Sequence, residues 1–277
     1  MQLGAIFIDH LIFNIELPKP DDEVIPGVLW GAVEAFPSPA YWAYQVYARR
    51  LHGDRIDYKL GMTLKEEVGA CLLGGHGIPS SIGLAAFQQV KDRGAFGDEP
   101  PPEDMLLEWL KEPMNIDGRM VRYRFAKQKA RYLSAALQKL STEYPPQGSG
   151  RGLRDWLLDV PGIGYKTASW VARNWLDADD VAILDIHILR AGQLGKFLDS
   201  NLTVERNYLQ LEDQFIRFSK GLGVRASELD ALIWLEMMSS AATVHSIMGM
   251  GNATHNGKRE NKSKKKQANT VQLPLLS

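Results

Sequence analysis

The sequence predicts a mainly α-helical fold with a short strand pair near residues 4–15. Three observations carry this expectation. Apolar residues recur at spacings of three and four from residue 40 to residue 242. Clusters of glycine and proline interrupt that recurrence. Strand-like alternation is scarce outside the N-terminus.

Taken in order, the first forty residues hold prolines at 18, 20, 26, 37 and 39, which fits an irregular or extended segment. Helical periodicity then marks 40–52, 63–74, 79–93, 103–111, 123–141, 152–159, 165–176, 184–198, 204–222 and 226–242. Thr63 with Glu66 three residues on forms a capping-box pattern, and Ser227 before Glu228 reads as a similar cap. The breaks fall at GGHGIP (74–79), GDEPPP (97–102), YPPQGSGRG (144–152) and PGIG (161–164).

A chain of 277 residues suffices for one large domain or two lobes sharing a cleft. Its 45% hydrophobic and 23% charged residues are ordinary for a folded protein with a large core. The lone cysteine, Cys71 in EEVGACLLGG, reads as a buried, inert thiol. One cysteine excludes an internal disulfide, a four-cysteine iron–sulfur cluster and a cysteine-rich zinc site, so no metal and no cofactor is expected. No segment approaches the roughly 18 apolar residues of a membrane span. The N-terminus, MQLGAIFIDHLIF, lacks the basic start and cleavage site of a signal peptide. A monomer in the cytoplasm, without a membrane partner, is expected.

The most informative stretch is LRDWLLDVPGIGYKTASWVARNWLDADDVAILDIHILRAG, residues 153–192. An apolar helix leads into Pro161-Gly162-Ile163-Gly164, and a second helix starts near Tyr165. Gly162 and Gly164 permit a tight turn and close backbone approach. The free amides opening the second helix can then receive a phosphate oxygen, while Ile163 plugs the gap between the helices. Such a helix-hairpin-helix element holds a DNA backbone and reads no sequence. From PGIG alone, a plain helical hairpin with a glycine turn is the better description, and the next residues change that balance.

Lys166 and Asp185 narrow the choice. Lys166 falls on the first turn of the second helix, where the helix dipole disfavours an ammonium and favours the free amine a nucleophile needs. Nineteen residues later, Asp185 is framed by apolar neighbours in AILDIHILR. A sheltered carboxylate needs a partner. It also suits the N-cap of the following helix, and the two roles are compatible.

The run VPGIGYKTASWVARN followed by VAILDIHILR resembles the helix-hairpin-helix and Gly-Pro-Asp segment of the 8-oxoguanine DNA glycosylases, especially their short archaeal and bacterial branch. ASELDALIWLEMM at 226–238 is similar to an acidic-aromatic helix of that branch, and looser similarity reaches back through EEVGACLLGGHGIPSSIGLAAF. The resemblance implies two helical lobes around a DNA-binding cleft. It implies that Lys166 attacks a sugar C1′ after base flipping, that Asp185 steadies the developing charge and takes a proton, and that a Schiff base then permits an AP-lyase step. It places an intercalating wedge in the 74–81 loop, with His76 and Ile78 as candidates. The base pocket has Asp230, Trp234 and Trp175 as candidates.

The family branch reads 8-oxoguanine with a lysine near its C-terminus; this sequence runs on through a polar extension to Ser277, so that contact does not carry over. The base is therefore 8-oxoguanine or another modified base, including one in foreign DNA. A non-catalytic DNA-binding protein is the third reading.

Charge offers a counter-argument. Residues 251–277 hold six Lys/Arg and one Glu, a net of +5, which leaves the rest of the chain at −6. A DNA enzyme usually has a more basic body. The stretch RYRFAKQKARY, 122–132, read as a helix, offers Arg124, Lys127, Gln128 and Arg131 on one face, as phosphate contacts or a solvated surface. Residues 1–250 are expected to form the glycosylase-type fold and 251–277 a disordered basic tail. That tail ends in Gln272, Leu273, Pro274, Leu275 and Leu276, which resembles peptides that dock on the bacterial sliding clamp. Double-stranded DNA is the expected partner, with nucleoid association following from it.

Overall fold

The computed structural model describes residues 1–53, 59–75, 77–240, 244 and 248. It opens with the expected strand pair. β1 (Gln2–Ile8) and β2 (Leu11–Leu17) run antiparallel with Gly4 opposite Ile15 and Phe7 opposite Ile12. The proline-bearing segment that follows is more ordered than its composition implies. β3 (Glu23–Ile25) pairs with β4 (Val28–Leu29) across Pro26-Gly27.

The helices follow their sequence signals. α1 (Pro39–His52) begins where Ser38 Oγ accepts the Tyr41 amide at 3.0 Å. α2 (Leu64–Leu73) begins where Thr63 Oγ1 accepts the Glu66 amide at 3.2 Å, with Glu66 reaching back to the Met62 amide at 2.7 Å. α3 (Ser80–Lys91) and α4 (Glu103–Lys111) follow proline-bearing turns.

The stretch before residue 126 departs from expectation. Residues 114–121 form a hairpin, β5 (Met114–Ile116) and β6 (Arg119–Val121), closed by Asp117-Gly118 at φ 49° and 78°. Asp-Gly is a two-residue hairpin turn, and that signal outweighs the helical periodicity after it. The chain stays non-helical through Tyr123, whose buried hydroxyl donates to Leu73 O at 2.6 Å, and turns at Arg124-Phe125, so α5 spans only Ala126–Thr142.

α6 (Gly150–Leu157), α7 (Tyr165–Leu176), α8 (Ile186–Leu194), α9 (Val204–Leu222) and α10 (Ala226–Ser239) complete the ten helices among the described residues. α9 bends at Asn207, whose dihedrals leave the helical region. Ser227 does not cap α10 as expected. It lies inside the first turn, and its amide and hydroxyl both donate to Asp179 Oδ1, at 3.1 and 2.9 Å.

Packing sorts the helices into two groups. α2 lies against α3, α5 and α7, α4 against α3 and α5, and α6 against α7, around Leu72, Leu106, Leu133, Leu137 and Leu153. α10 lies against α1, α8 and α9, with Trp42, Phe215 and Leu229 buried there. α7 closes the first group and α8 opens the second, so residues 177–185 form the junction.

Met1–Ser239 forms one unit; Ser240–Ser277 forms a second, in which the described residues show the Val244 amide donating to Ser240 O at 3.0 Å. Among the described residues, no helix is long and apolar enough to cross a membrane.

Candidate active site

The α6–α7 hairpin is built against α5. Val160 and Ile163 are buried in the first core, and the Ile163 amide donates to Val160 O at 3.1 Å. Gly162 sits at φ +83°, and a Cβ there would lie 2.0 Å from Cδ2 of Tyr132 on α5. The turn thus rests on an aromatic plate. Gly164 caps α7 with no side-chain acceptor for the first amides, and a Cβ there would meet nothing within 4 Å. Those amides are open to an anion from outside. Gly162→Ala combines left-handed strain with overpacking and is expected to destabilise the fold by about 2 kcal/mol. A urea titration checks this, and an unchanged midpoint would show that the turn does not need Gly162.

On the first turn of α7, Lys166 meets Asp185. Lys166 Nζ lies 3.4 Å from Asp185 Oδ2. Asp185 is the N-cap of α8, and its Oδ1 accepts the His187 and Ile188 amides at 2.8 and 3.2 Å. The cap fixes the direction of the carboxylate, leaving Oδ2 for the lysine. The Lys166 side chain is 43% exposed and that of Asp185 12%. The amine therefore faces outward, with a sheltered proton acceptor beside it.

The three residues before Asp185 lie outside any helix or strand, and side chains satisfy their amides. Ala182 N donates to Glu212 Oε1 at 3.1 Å, Ile183 N to Asp230 Oδ2 at 3.0 Å, and Leu184 N to the Tyr208 hydroxyl at 3.2 Å. That hydroxyl donates in turn to Ala182 O at 2.7 Å. Glu212 also pairs with buried Arg154 of α6 and accepts Ser169 Oγ of α7 at 3.2 Å. Asp230 lies 3.7 Å from Arg173 NH1 of α7. Burial pushes the Asp230 carboxyl up to about 6, against the opposing pull of Arg173. Burial also raises Glu212, while the Ala182 amide and Arg154 pull it back.

Residues 103–224 match the Ogg-HhH family, described as 8-oxoguanine DNA glycosylase. The 8-oxoguanine DNA glycosylase/AP lyase of Metallosphaera sedula is 30% identical over 149 residues, 51% of this chain and 71% of that protein. The chain belongs to the 8-oxoguanine DNA glycosylase family. The Methanocaldococcus jannaschii relative of the same name is 32% identical over 136 residues, 47% of this chain and 65% of that protein. With the Thermoplasma acidophilum relative, identity is 42% over 86 residues, and the match spans 41% of that protein. The matches thus span less than two thirds of these two relatives' lengths. The crystal structure of the M. jannaschii 8-oxoguanine DNA glycosylase shares the fold at a TM-score of 0.52 and 22% identity, covering 73% of this chain and 92% of that one.

In this family member the other candidates disperse. Asp230 is 2% exposed and committed to the Ile183 amide and Arg173, so its carboxylate does not line an open pocket. Trp175 ends α7, nine residues and about 13 Å of helix beyond Lys166. Its ring packs under Lys59, at 4.7 Å, so it does not share the Lys166–Asp185 site. Trp234, 38% exposed and one turn beyond Asp230 on α10, keeps an open ring. Ile78 is half-buried against the first core, beside Arg122, Arg124 and Phe125, and does not project as a wedge. His76 and the tail residues Gln272, Leu273, Leu275 and Leu276 lie outside the described residues.

Several contributors carry no sequence motif. Lys129 Nζ donates to Leu72 O at 2.5 Å and Gly74 O at 3.4 Å, tying α5 to the end of α2 and the start of the glycine-rich loop. Burial lowers the Lys129 amine below the usual lysine range. Trp170, one turn beyond Lys166, lies 3.8 Å from a Cβ built on Gly74, so that loop borders the Lys166 face of α7. Arg119, Arg122, Arg124, Lys127 and Arg131 are exposed and form no ion pair among the described residues. Arg124 lies in the turn before α5, not on its helical face as expected. Periodicity could flag neither Lys129 nor Trp170, because their partners are far away in the chain.

Proposed function

We propose that the protein excises a damaged base, 8-oxoguanine first among them, from double-stranded DNA by lysine Schiff-base chemistry with a following AP-lyase step. The Lys166–Asp185 pair, 3.4 Å apart at the exit of the hairpin, carries this reading. The names of the curated relatives support the substrate.

A base inside a duplex is out of reach, so the nucleotide must be extruded. The open amides at the start of α7, presented by the Gly162–Ile163–Gly164 turn, hold one strand's phosphate. The unpaired basic residues from Arg119 to Arg131 supply further backbone contacts. Lys166 Nζ gives a proton to Asp185 and attacks C1′ as the bond to the base breaks. The base leaves with the bonding electrons and takes up a proton. Opening of the sugar yields an iminium on Lys166, and loss of a C2′ proton expels the 3′ phosphate. Trp234, with its open ring, is the remaining candidate to stack on the flipped base.

A panel of duplex oligonucleotides with one modified base each tests this. Strand cleavage at 8-oxoguanine is the expected result. Cleavage only at another base changes the substrate and keeps the chemistry. Base release without a nick removes the lyase step, and binding without either favours the non-catalytic reading.

A further inference from the structure

We infer that Tyr208, Glu212 and Asp230 are positioning residues that set the separation of Lys166 and Asp185; this rests on the proposed chemistry for its consequence on rate. The run 182–184 belongs to no helix or strand and has no ladder partner among the described residues. Its three successive amides are held by three buried side chains, two from α9 and one from α10. Tyr208 and Glu212 are four residues apart, so one face of α9 supplies both.

The same side chains grip α7. Glu212 takes Ser169, Asp230 faces Arg173, and the Tyr208 ring stacks on Tyr165 at 5.4 Å and 15°. Residues 165, 169 and 173 are spaced by four and form one stripe of α7, adjacent to Lys166. The helix that carries the amine and the segment that leads to the carboxylate are thus bolted to one buried frame. A shift in the frame changes the distance between nucleophile and proton acceptor without touching any surface that DNA would use.

Tyr208→Phe tests this with the least disturbance, because the ring and its stacking on Tyr165 remain. Glu212→Gln is the second variant; its amide oxygen still accepts Ala182 N but no longer pairs as a charge with Arg154. Two readouts are needed. In single-turnover borohydride trapping on an 8-oxoguanine duplex, the rate constant is expected to fall about tenfold or more, with the duplex Kd within about twofold of wild type. In acylation by an amine-reactive ester, read by peptide mass, Lys166 is expected to label faster relative to exposed Lys127 than in wild type, as the ion pair loosens.

Unchanged Lys166 labelling in both variants overturns the inference. So does a fall in trapping that only follows loss of folded protein and of DNA affinity, since the residues would then hold the fold and not the pair. Faster Lys166 labelling in the variants, with a wild type that traps on no duplex, overturns the proposed activity and leaves the frame standing.

Discussion

Lys166→Gln is expected to abolish covalent trapping on DNA and to slow base excision on the order of 10³-fold, about 4 kcal/mol of transition-state stabilisation. Glutamine keeps the length and polarity of the side chain but offers no lone pair that can attack C1′. The hairpin amides, the Tyr132 plate and the basic stretch from Arg119 to Arg131 are untouched, so duplex affinity should change little. Lys166 is half-exposed and makes one ion pair, so the fold should tolerate the change. Borohydride trapping and a gel-shift titration on the same duplex measure the two halves. Undiminished trapping would mean that another amine forms the adduct and that the geometry at Asp185 has been misassigned.

Asp185→Asn should separate the two tasks of that carboxylate. As an N-cap it accepts two amides through Oδ1, and asparagine caps almost as well. Loss of the negative charge near the α8 N-terminus should cost about 0.3–1 kcal/mol of stability. As a proton acceptor asparagine is useless, and it gives no charge to balance a cationic sugar. Excision should therefore fall about 10²-fold or more while stability and duplex binding stay close to wild type. Asp185→Ala would confuse the two, because it also removes the cap. If the asparagine variant excised at the wild-type rate, the carboxylate would be a cap only.

The hairpin, its lysine and the helix spans 165–176 and 204–222 were legible because their signals are local: turn glycines, a cap and a regular apolar stripe. The pairing of Lys166 with Asp185 was legible only through family resemblance, since nothing in nineteen residues of chain fixes how they meet. The 114–121 hairpin was readable from Asp117-Gly118 but was masked by the periodicity that follows it. Asp230 shows the harder limit. An acidic residue beside a tryptophan looks like a base pocket in sequence, and only its distance to Ile183 N and Arg173 reveals a buried strut. Tyr208 and Glu212 carry no local signal, because their meaning lies in backbone amides about 25 to 30 residues earlier.

The unpaired arginines and lysine between residues 119 and 131 also change the meaning of a net charge near zero. Elsewhere most arginines are tied to carboxylates, as Arg50 is to Glu228 and Arg225 to Asp179. One stretch of surface keeps its positive charge while the body around it is neutral or acidic. Near a polyanion such a molecule behaves as an electric dipole and turns before it touches. Diffusive encounters would then begin with the α5 side leading, next to the hairpin turn and the glycine-rich loop. If the proposed activity holds, weak overall attraction with a preferred orientation would let the protein release undamaged DNA quickly and move onward.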